Sequence, residues 1–189
     1  MHTPPKLIIL DRDGVINVDS AQFIKSPAEW KPIPGSIEAI ARLNQAGYRV
    51  VVATNQSGIG RGLFDMGTLA AINDKMVEMV FRRGGRIDAI FFCPHRADEK
   101  CRCRKPDTGM FDDIAARFRV GLEGVPTIGD SMRDLEAGVK VGCLPILVLT
   151  GKGKQTKEAG GLPKGTRVFA DLSDAVRQLV SEPPVNRAS

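Results

Sequence analysis

The stretch "KLIILDRDGVIN", residues 6–17, decides how this chain is read. Lys6–Leu10 is a continuous apolar run after its first residue, not an alternation. That pattern suits a strand covered on both faces of a sheet. Asp11 and Asp13 follow directly, two residues apart, and extended backbone would point both to one side. Gly14 then lets the chain turn away. Paired carboxylates at a buried strand end are costly unless a cation neutralises them. A hard divalent ion bound through oxygen, most simply Mg²⁺, would do so. A solvated turn rich in Asp and Gly accounts for the same residues.

Further apolar runs lie outward from this one, at Arg49–Ala53, Ile87–Phe92, Val125–Ile128, Leu144–Leu149 and Arg167–Ala170. Helical patterns alternate with them, at Ser36–Ala46, Thr68–Arg83, Thr108–Arg119, Ser131–Val141 and Leu172–Val180. Strand–helix alternation predicts an α/β fold: a single Rossmann-like parallel-sheet domain with helices on both faces. The domain is expected over residues 1–181, with 182–189 a flexible tail. The Gly- and Lys-rich stretch 151–166, "GKGKQTKEAGGLPKGT", reads as a mobile loop. The segment Gly14–Gly35 is too short to fold as a separate cap, so no large cap domain is expected.

The 189 residues carry 42% hydrophobic and 26% charged side chains, ordinary for a globular chain. The formal net charge is +5, which suits an anionic partner such as a phosphate ester or nucleic acid. Apolar runs are too short to span a bilayer, and the N-terminus lacks a signal-peptide core, so no membrane partner and a cytoplasmic location are expected. A monomer is the default expectation.

In sheets of this kind ligands bind at the carboxyl ends of the strands. After the second run comes "ATNQSGIGRG", residues 53–62, where Thr54, Asn55 and Ser57 offer hydroxyl and amide groups and the glycines allow close backbone approach. A polar loop with no ligand is the plainer account. After the third come "RKPDTGM", residues 104–110, and Lys105, whose ammonium could neutralise a phosphoryl group. After the fourth, "IGDSMRDLEAG" presents Asp130, with Asp134 one helical turn on. Asp130 could instead cap that helix. Four strand ends thus bring an acid pair, hydroxyl and amide groups, a lysine and an acid to one rim.

Between the third run and Lys105 lies "CPHRADEKCRC", residues 93–103. Cys93, His95, Cys101 and Cys103 make a Cys₃His set, which fills tetrahedral Zn²⁺ and leaves no position for water. Such a closed site is structural: a zinc-bound loop whose exit delivers Arg104 and Lys105. Free surface thiols are the alternative. Cys143 stands alone in an apolar stretch and reads as core.

Together "DRDGVIN", "TNQSGIGRG", "RKPDTGM" and "GDSMRD" resemble the four motifs of the haloacid dehalogenase superfamily of phosphohydrolases. The likeness runs from about residue 6 to residue 150. Within it, the chain resembles the D-glycero-D-manno-heptose 1,7-bisphosphate 7-phosphatase subfamily, which has a comparable zinc loop, with the histidinol-phosphate phosphatases as near relatives. The resemblance implies a Mg²⁺-dependent phosphatase with a structural Zn²⁺, acting on a small sugar phosphate in the supply of lipopolysaccharide-core heptose. It implies Asp11 as nucleophile, Asp13 as general acid and base, and Thr54 and Lys105 as stabilisers of the phosphoryl group. Mg²⁺ would be held by Asp11, the Asp13 carbonyl and Asp130. Substrate contacts would come from Asp19, Ser20, Ala21, Gln22, Asn55, Gln56, Ser57, Arg104 and Ser131. The chain departs from the pattern at Asp19–Gln22, which lacks a His-Gly-Tyr, and at Ser131, where some relatives have Lys. Asp134 would support the metal or Lys105. Three other readings are a histidinol-phosphate phosphatase, a DNA 3′-phosphatase and a phospho-receiver domain. The second shares a "TNQ-x-GI" stretch, but the chain lacks a basic tract with interleaved aromatics, so no nucleic-acid partner is expected. The third would not need Asp13.

Overall fold

The computed structural model describes residues 6–181. Six strands form one sheet: β1 (Lys6–Leu10), β2 (Tyr48–Asn55), β3 (Ala89–Cys93), β4 (Pro126–Gly129), β5 (Leu144–Val148) and β6 (Arg167–Phe169). Their order is β3-β2-β1-β4-β5-β6, and every pairing is parallel. Chain order runs outward in both directions from β1 and β4. The crevice between those two strands is therefore the topological switch point, where ligands of such sheets bind.

The apolar runs divide by strand periodicity. Ile8, Leu10, Val50 and Val52 face one core, packed against α1 (Ser36–Gln45), α2 (Met66–Arg82) and α6 (Leu172–Ser181). Leu7, Ile9, Val51 and Ala53 face the other, against α3 (Gly109–Phe118) and α4 (Met132–Lys140). A side-chain period of two on a sheet buried on both sides leaves no polar position in the strand middle, hence the unbroken runs.

Between β1 and α1 the chain makes a compact excursion instead of a cap. Asn17 bridges to Asp13 and to Pro32, and Trp30 is completely buried within it. The expected elements form with their ends moved by a few residues. One expectation fails: 151–166 is not all loop, because α5 (Gly153–Ala159) folds there. It has a single buried residue, Gly153, so no apolar periodicity announces it. Tertiary bonds hold it, with Thr156 Oγ1 donating to the Asp130 carbonyl at 2.9 Å. The proposed tail, 182–189, lies outside the described residues.

Candidate active site

Asp11 sits one residue beyond β1, its N–H bonded to the Ile128 carbonyl of β4 at 2.9 Å, so the strand pairing carries it into the switch-point crevice. Asp130 follows β4 and Lys105 follows the loop after β3. Lys105 is 2% exposed, and its Nζ lies 3.0 Å from Asp11 Oδ1, 2.6 Å from Asp134 Oδ1 and 2.7 Å from the Ala53 carbonyl. The contacts to Asp11 and the Ala53 carbonyl are hydrogen bonds, and the contact to Asp134 is an ion pair. Its backbone is clamped as well: Lys105 N–H donates to Asn55 Oδ1 and Asn55 Nδ2 donates to the Lys105 carbonyl, each at 3.1 Å. The side chain of Asn55 thus positions Lys105.

Asp134 belongs to Lys105 and to its own helix. Its Oδ2 accepts from Ser131 N–H at 3.0 Å and Ser131 Oγ at 2.5 Å, closing a capping box at the start of α4. Ser131, not Asp130, is the cap. Its hydroxyl is used there, and Ser131 is not among the residues that line the cleft. Gln22 is exposed and also stays off the lining, while Phe23 and Ile24 join Asp19, Ser20 and Ala21 on it.

Asp13 is gripped on both oxygens. Arg12 Nε donates to Oδ1 at 3.0 Å and Arg12 Nη2 to Oδ2 at 3.1 Å. Asn17 Nδ2 adds a bond to Oδ1 at 2.9 Å, and Gln56 Nε2 one to Oδ2 at 2.8 Å. Gln56 also donates to Thr54 Oγ1 at 2.9 Å, tying the loop after β2 to the acid pair. Arg12 is wholly buried and braced by Asn73 of α2 at 3.2 Å. Sequence reasoning missed this guanidinium, since an Arg between two Asp reads as a solvated charge until burial is known.

The electrostatics fit a divalent cation. Carboxylate oxygens of Asp11, Asp130 and Asp134 lie within 4.8 Å of one another, and all three residues are buried. Burial pushes the Asp11 carboxyl up to about 6; Lys105 pulls it down, while Asp134 and Asp13 push it up again. Burial likewise pushes Asp130 up to about 7, with the charges of Asp11 and Asp134 adding. Burial opposes the charge of Asp134 too, but Lys105 and Ser131 outweigh it and hold that carboxyl low. Lys105, despite burial, is held above its ordinary value by Asp11 and Asp134. With Asp134 satisfied by Lys105, Asp11 and Asp130 are the two carboxylates whose repulsion an ion would relieve.

The Cys/His knot gathers as expected. Cys93 Sγ lies 3.5 Å from His95 Nδ1, 3.7 Å from Cys101 Sγ and 3.1 Å from Cys103 Sγ, and His95 Nδ1 lies 3.3 Å from Cys103 Sγ. Tetrahedral zinc with Zn–S of about 2.3 Å requires ligand separations of about 3.7 Å, so the set fits Zn²⁺ after small adjustments. Burial pushes the Cys93 thiol up to about 12, with Cys103 contributing, and a bound cation reverses that preference. The knot reaches beyond its own loop. Gln56 N–H donates to the Cys93 carbonyl at 2.7 Å and Gly60 N–H to the Pro94 carbonyl at 2.9 Å. A side chain at position 60 would meet that carbonyl at 2.8 Å, so glycine permits the approach. Arg104 turns back onto the knot, donating to the His95 carbonyl at 3.2 Å.

These groups line a cleft of about 250 Å³. Its floor holds Asp11, Asp13, Thr54, Lys105 and Asp130, and its sides include Asn55, Gln56, Ser57 and Arg104. Arg61, Arg133 and Lys152 also line it, cations to which the sequence reading gave no role.

Comparison with known proteins accords with this geometry. A family model described as "Polynucleotide kinase 3 phosphatase" matches residues 6–131, and one described as "HAD-hyrolase-like" matches 102–175. The chain is 59% identical to the D-glycero-β-D-manno-heptose-1,7-bisphosphate 7-phosphatase of Bordetella bronchiseptica, over 94% of this chain and 99% of that one. It is 52% identical to the protein of the same description from Pseudomonas putida, over 93% and 99%. The crystal structure of the B. bronchiseptica D,D-heptose 1,7-bisphosphate phosphatase, complexed with magnesium and phosphate, matches with a TM-score of 0.93 at 58% identity, covering 94% of this chain and 99% of that chain. The Burkholderia thailandensis D,D-heptose 1,7-bisphosphate phosphatase matches with a TM-score of 0.76 at 55% identity, covering 94% and 99%. The chain is thus a phosphatase of the haloacid dehalogenase superfamily, in the branch that the polynucleotide kinase 3 phosphatase model describes, and it belongs with the D-glycero-β-D-manno-heptose-1,7-bisphosphate 7-phosphatase family.

Proposed function

We propose that the protein is a Mg²⁺-dependent phosphomonoesterase that removes the 7-phosphate of D-glycero-β-D-manno-heptose 1,7-bisphosphate through an aspartyl phosphate, an acyl phosphate formed on Asp11. The observation that carries this is the buried cluster in which Lys105 joins Asp11 to Asp134 beside Asp130, on the rim where β1 and β4 part. The activity of the relatives supports the substrate, and the magnesium and phosphate held by the B. bronchiseptica structure support the metal.

An Asp11 carboxylate oxygen attacks phosphorus and the ester P–O bond breaks. Lys105, held in place by two hydrogen bonds and its ion pair with Asp134, balances charge on the phosphoryl oxygens, and Thr54 offers them a hydroxyl. Asp13, oriented by Arg12, Asn17 and Gln56, gives its proton to the leaving alkoxide oxygen. Water then attacks the phosphorus of the phosphoaspartate, Asp13 takes a proton back, and Asp11 is released with inorganic phosphate. Mg²⁺ at Asp11, the Asp13 carbonyl and Asp130 would screen the repulsion between carboxylate and phosphate. Zn²⁺ at Cys93, His95, Cys101 and Cys103 would fix the loop that delivers Arg104 and Lys105.

The test is phosphate release over a panel of heptose 1,7-bisphosphate, fructose bisphosphate, histidinol phosphate and 3′-phosphorylated DNA, with Mg²⁺. Heptose bisphosphate should be fastest, and Asp11→Asn should remove activity by a factor on the order of 10⁴ or more. Faster release from DNA ends would favour the second reading, which the polynucleotide kinase 3 phosphatase match over 6–131 supports. Of the aromatic rings, Trp30 is buried and Tyr48 begins β2, while Phe23 lines the cleft beside the Arg61 guanidinium.

A further inference from the structure

Lys152 lies at the mouth of the cleft, on the loop between β5 and α5. Its backbone is fixed with unusual care for an exposed residue. Lys152 N–H donates to Asp130 Oδ2 at 2.8 Å, and Thr150 Oγ1 donates to the Gly14 carbonyl at 2.7 Å. Glycines flank it. A side chain at Gly151, where φ is +55°, would meet Asp130 Oδ2 at 2.2 Å and the Gly14 Cα at 2.6 Å. One at Gly153 would meet the Val148 carbonyl at 1.7 Å. Glycine at 151 lets the loop press against Asp130 and Gly14, glycine at 153 lets it fold back on the end of β5, and these contacts set where residue 152 emerges. Its ammonium then reaches across the mouth to Asp19 Oδ2 at 3.2 Å. Asp19 comes from the excursion after β1, so the pair joins opposite walls. Lys152 is half exposed, so an ion pair there contributes little to stability. The placement of Lys152 serves the cleft more than the fold.

The outer cleft is otherwise cationic. Arg61, Arg104 and Arg133 line it with Lys152, against the single outer carboxylate of Asp19. A monoester needs no such surplus, because Lys105 and the metal end already meet the phosphate that is removed. We propose that Lys152 binds a second anionic group of the substrate, the phosphate that is not cleaved. Asp19 is its counter-ion in the free site and turns to an adjacent sugar hydroxyl when that anion arrives. Lys152 is then the residue that separates sugar bisphosphates from sugar monophosphates. This rests on the bisphosphatase reading above.

The experiment compares heptose 1,7-bisphosphate with heptose 7-phosphate, which lacks the second anion, for the wild type, Lys152→Met and Lys152→Arg. Methionine keeps the length of the stem and removes the charge. Lys152→Met should raise KM for the bisphosphate about tenfold, the size of one lost charge-assisted contact, with kcat within about twofold. Its kinetics on the monophosphate should match the wild type, and Lys152→Arg should restore most of the bisphosphate preference. An equal change on both substrates, or none on either, overturns the assignment. If the wild type itself shows no preference for the bisphosphate, the bisphosphatase reading fails with it. A preference that survives in Lys152→Met sinks the Lys152 role alone.

Discussion

The protein holds two clusters suited to metal ions, and they are built in opposite ways. The thiol–imidazole knot draws all four groups from residues 93–103, a single loop. The acid cluster draws Asp11 and Asp130 from the ends of two strands, Lys105 from the exit of the loop after β3 and Asp134 from the first turn of a helix. The first is local and three of its four residues are partly exposed; the second is long-range and buried. The difference teaches what each can do. A closed four-ligand set orders chain but leaves no position for a substrate. A buried set of like charges stores repulsion that a cation and a phosphoryl group relieve, which is the chemistry of the cleft.

Lys105→Met is the harshest way to break the comparison. It leaves Asp11 and Asp134 buried without their cation, and removing one partner of a buried pair costs about 3–5 kcal/mol. Turnover should fall by about 10²–10³ and the denaturation midpoint should drop. The double variant Lys105→Met, Asp134→Asn should regain stability but not turnover; a stable, active Lys105→Met would refute the role of the cluster.

Removing zinc tests the other region. Structural zinc sites bind with on the order of 10 kcal/mol, so its loss should disorder the loop and with it Arg104 and the contact to Gly60. Metal analysis should find one zinc per chain. Cys101→Ser should lower kcat/KM by about tenfold, an order-of-magnitude figure for a displaced positioning loop, while the sheet still folds. Unchanged activity in zinc-free protein would reduce the knot to ornament.

Acidity probes the stored repulsion more gently. Asp11 and Asp130 have folded values of about 6 and about 7, above the ordinary 3.8. Between those values and 3.8 the folded state binds more protons than the unfolded one. Without Mg²⁺, stability should therefore fall as pH rises from 4 through 7, and Mg²⁺ should flatten the loss. Thermal melts across that range, with and without the ion, check the sign. Each kcal/mol corresponds to about 2–4 °C in a domain of this size.

Ser131→Ala is the mildest. It removes one arm of the capping box, worth about 1 kcal/mol, and should lower Tm by about 2–4 °C. Because Ser131 lies off the cleft lining, KM should stay within about twofold of wild type, the scatter expected where no substrate contact is lost. A large rise in KM would return Ser131 to the substrate.

Much of this was legible in the chain because the signals are local. Continuous apolar runs marked the six strands, and residues following them marked Asp11, Thr54, Lys105 and Asp130. The four zinc-type ligands sit within one loop, so spacing alone gathered them. Other features compete for the same polar atoms, and only packing settles such competitions. The Ser131 hydroxyl and the Asp134 carboxylate could each have met substrate or metal, but the helix start and Lys105 claim them. Gln56 spends its amide on Asp13 and Thr54.

By itself, then, the amino-acid order determined the parallel α/β sheet, the acid pair at the end of its first strand and the knot after the third, since periodicity and short spacing survive without coordinates. Tertiary structure alone decided that Arg12 is buried against Asp13, that α5 forms on a stretch with no apolar face, and that Lys152 reaches Asp19 across the cleft. Burial and contacts between residues far apart in the chain exist only once the sheet has brought its loops together, so no local pattern could carry them.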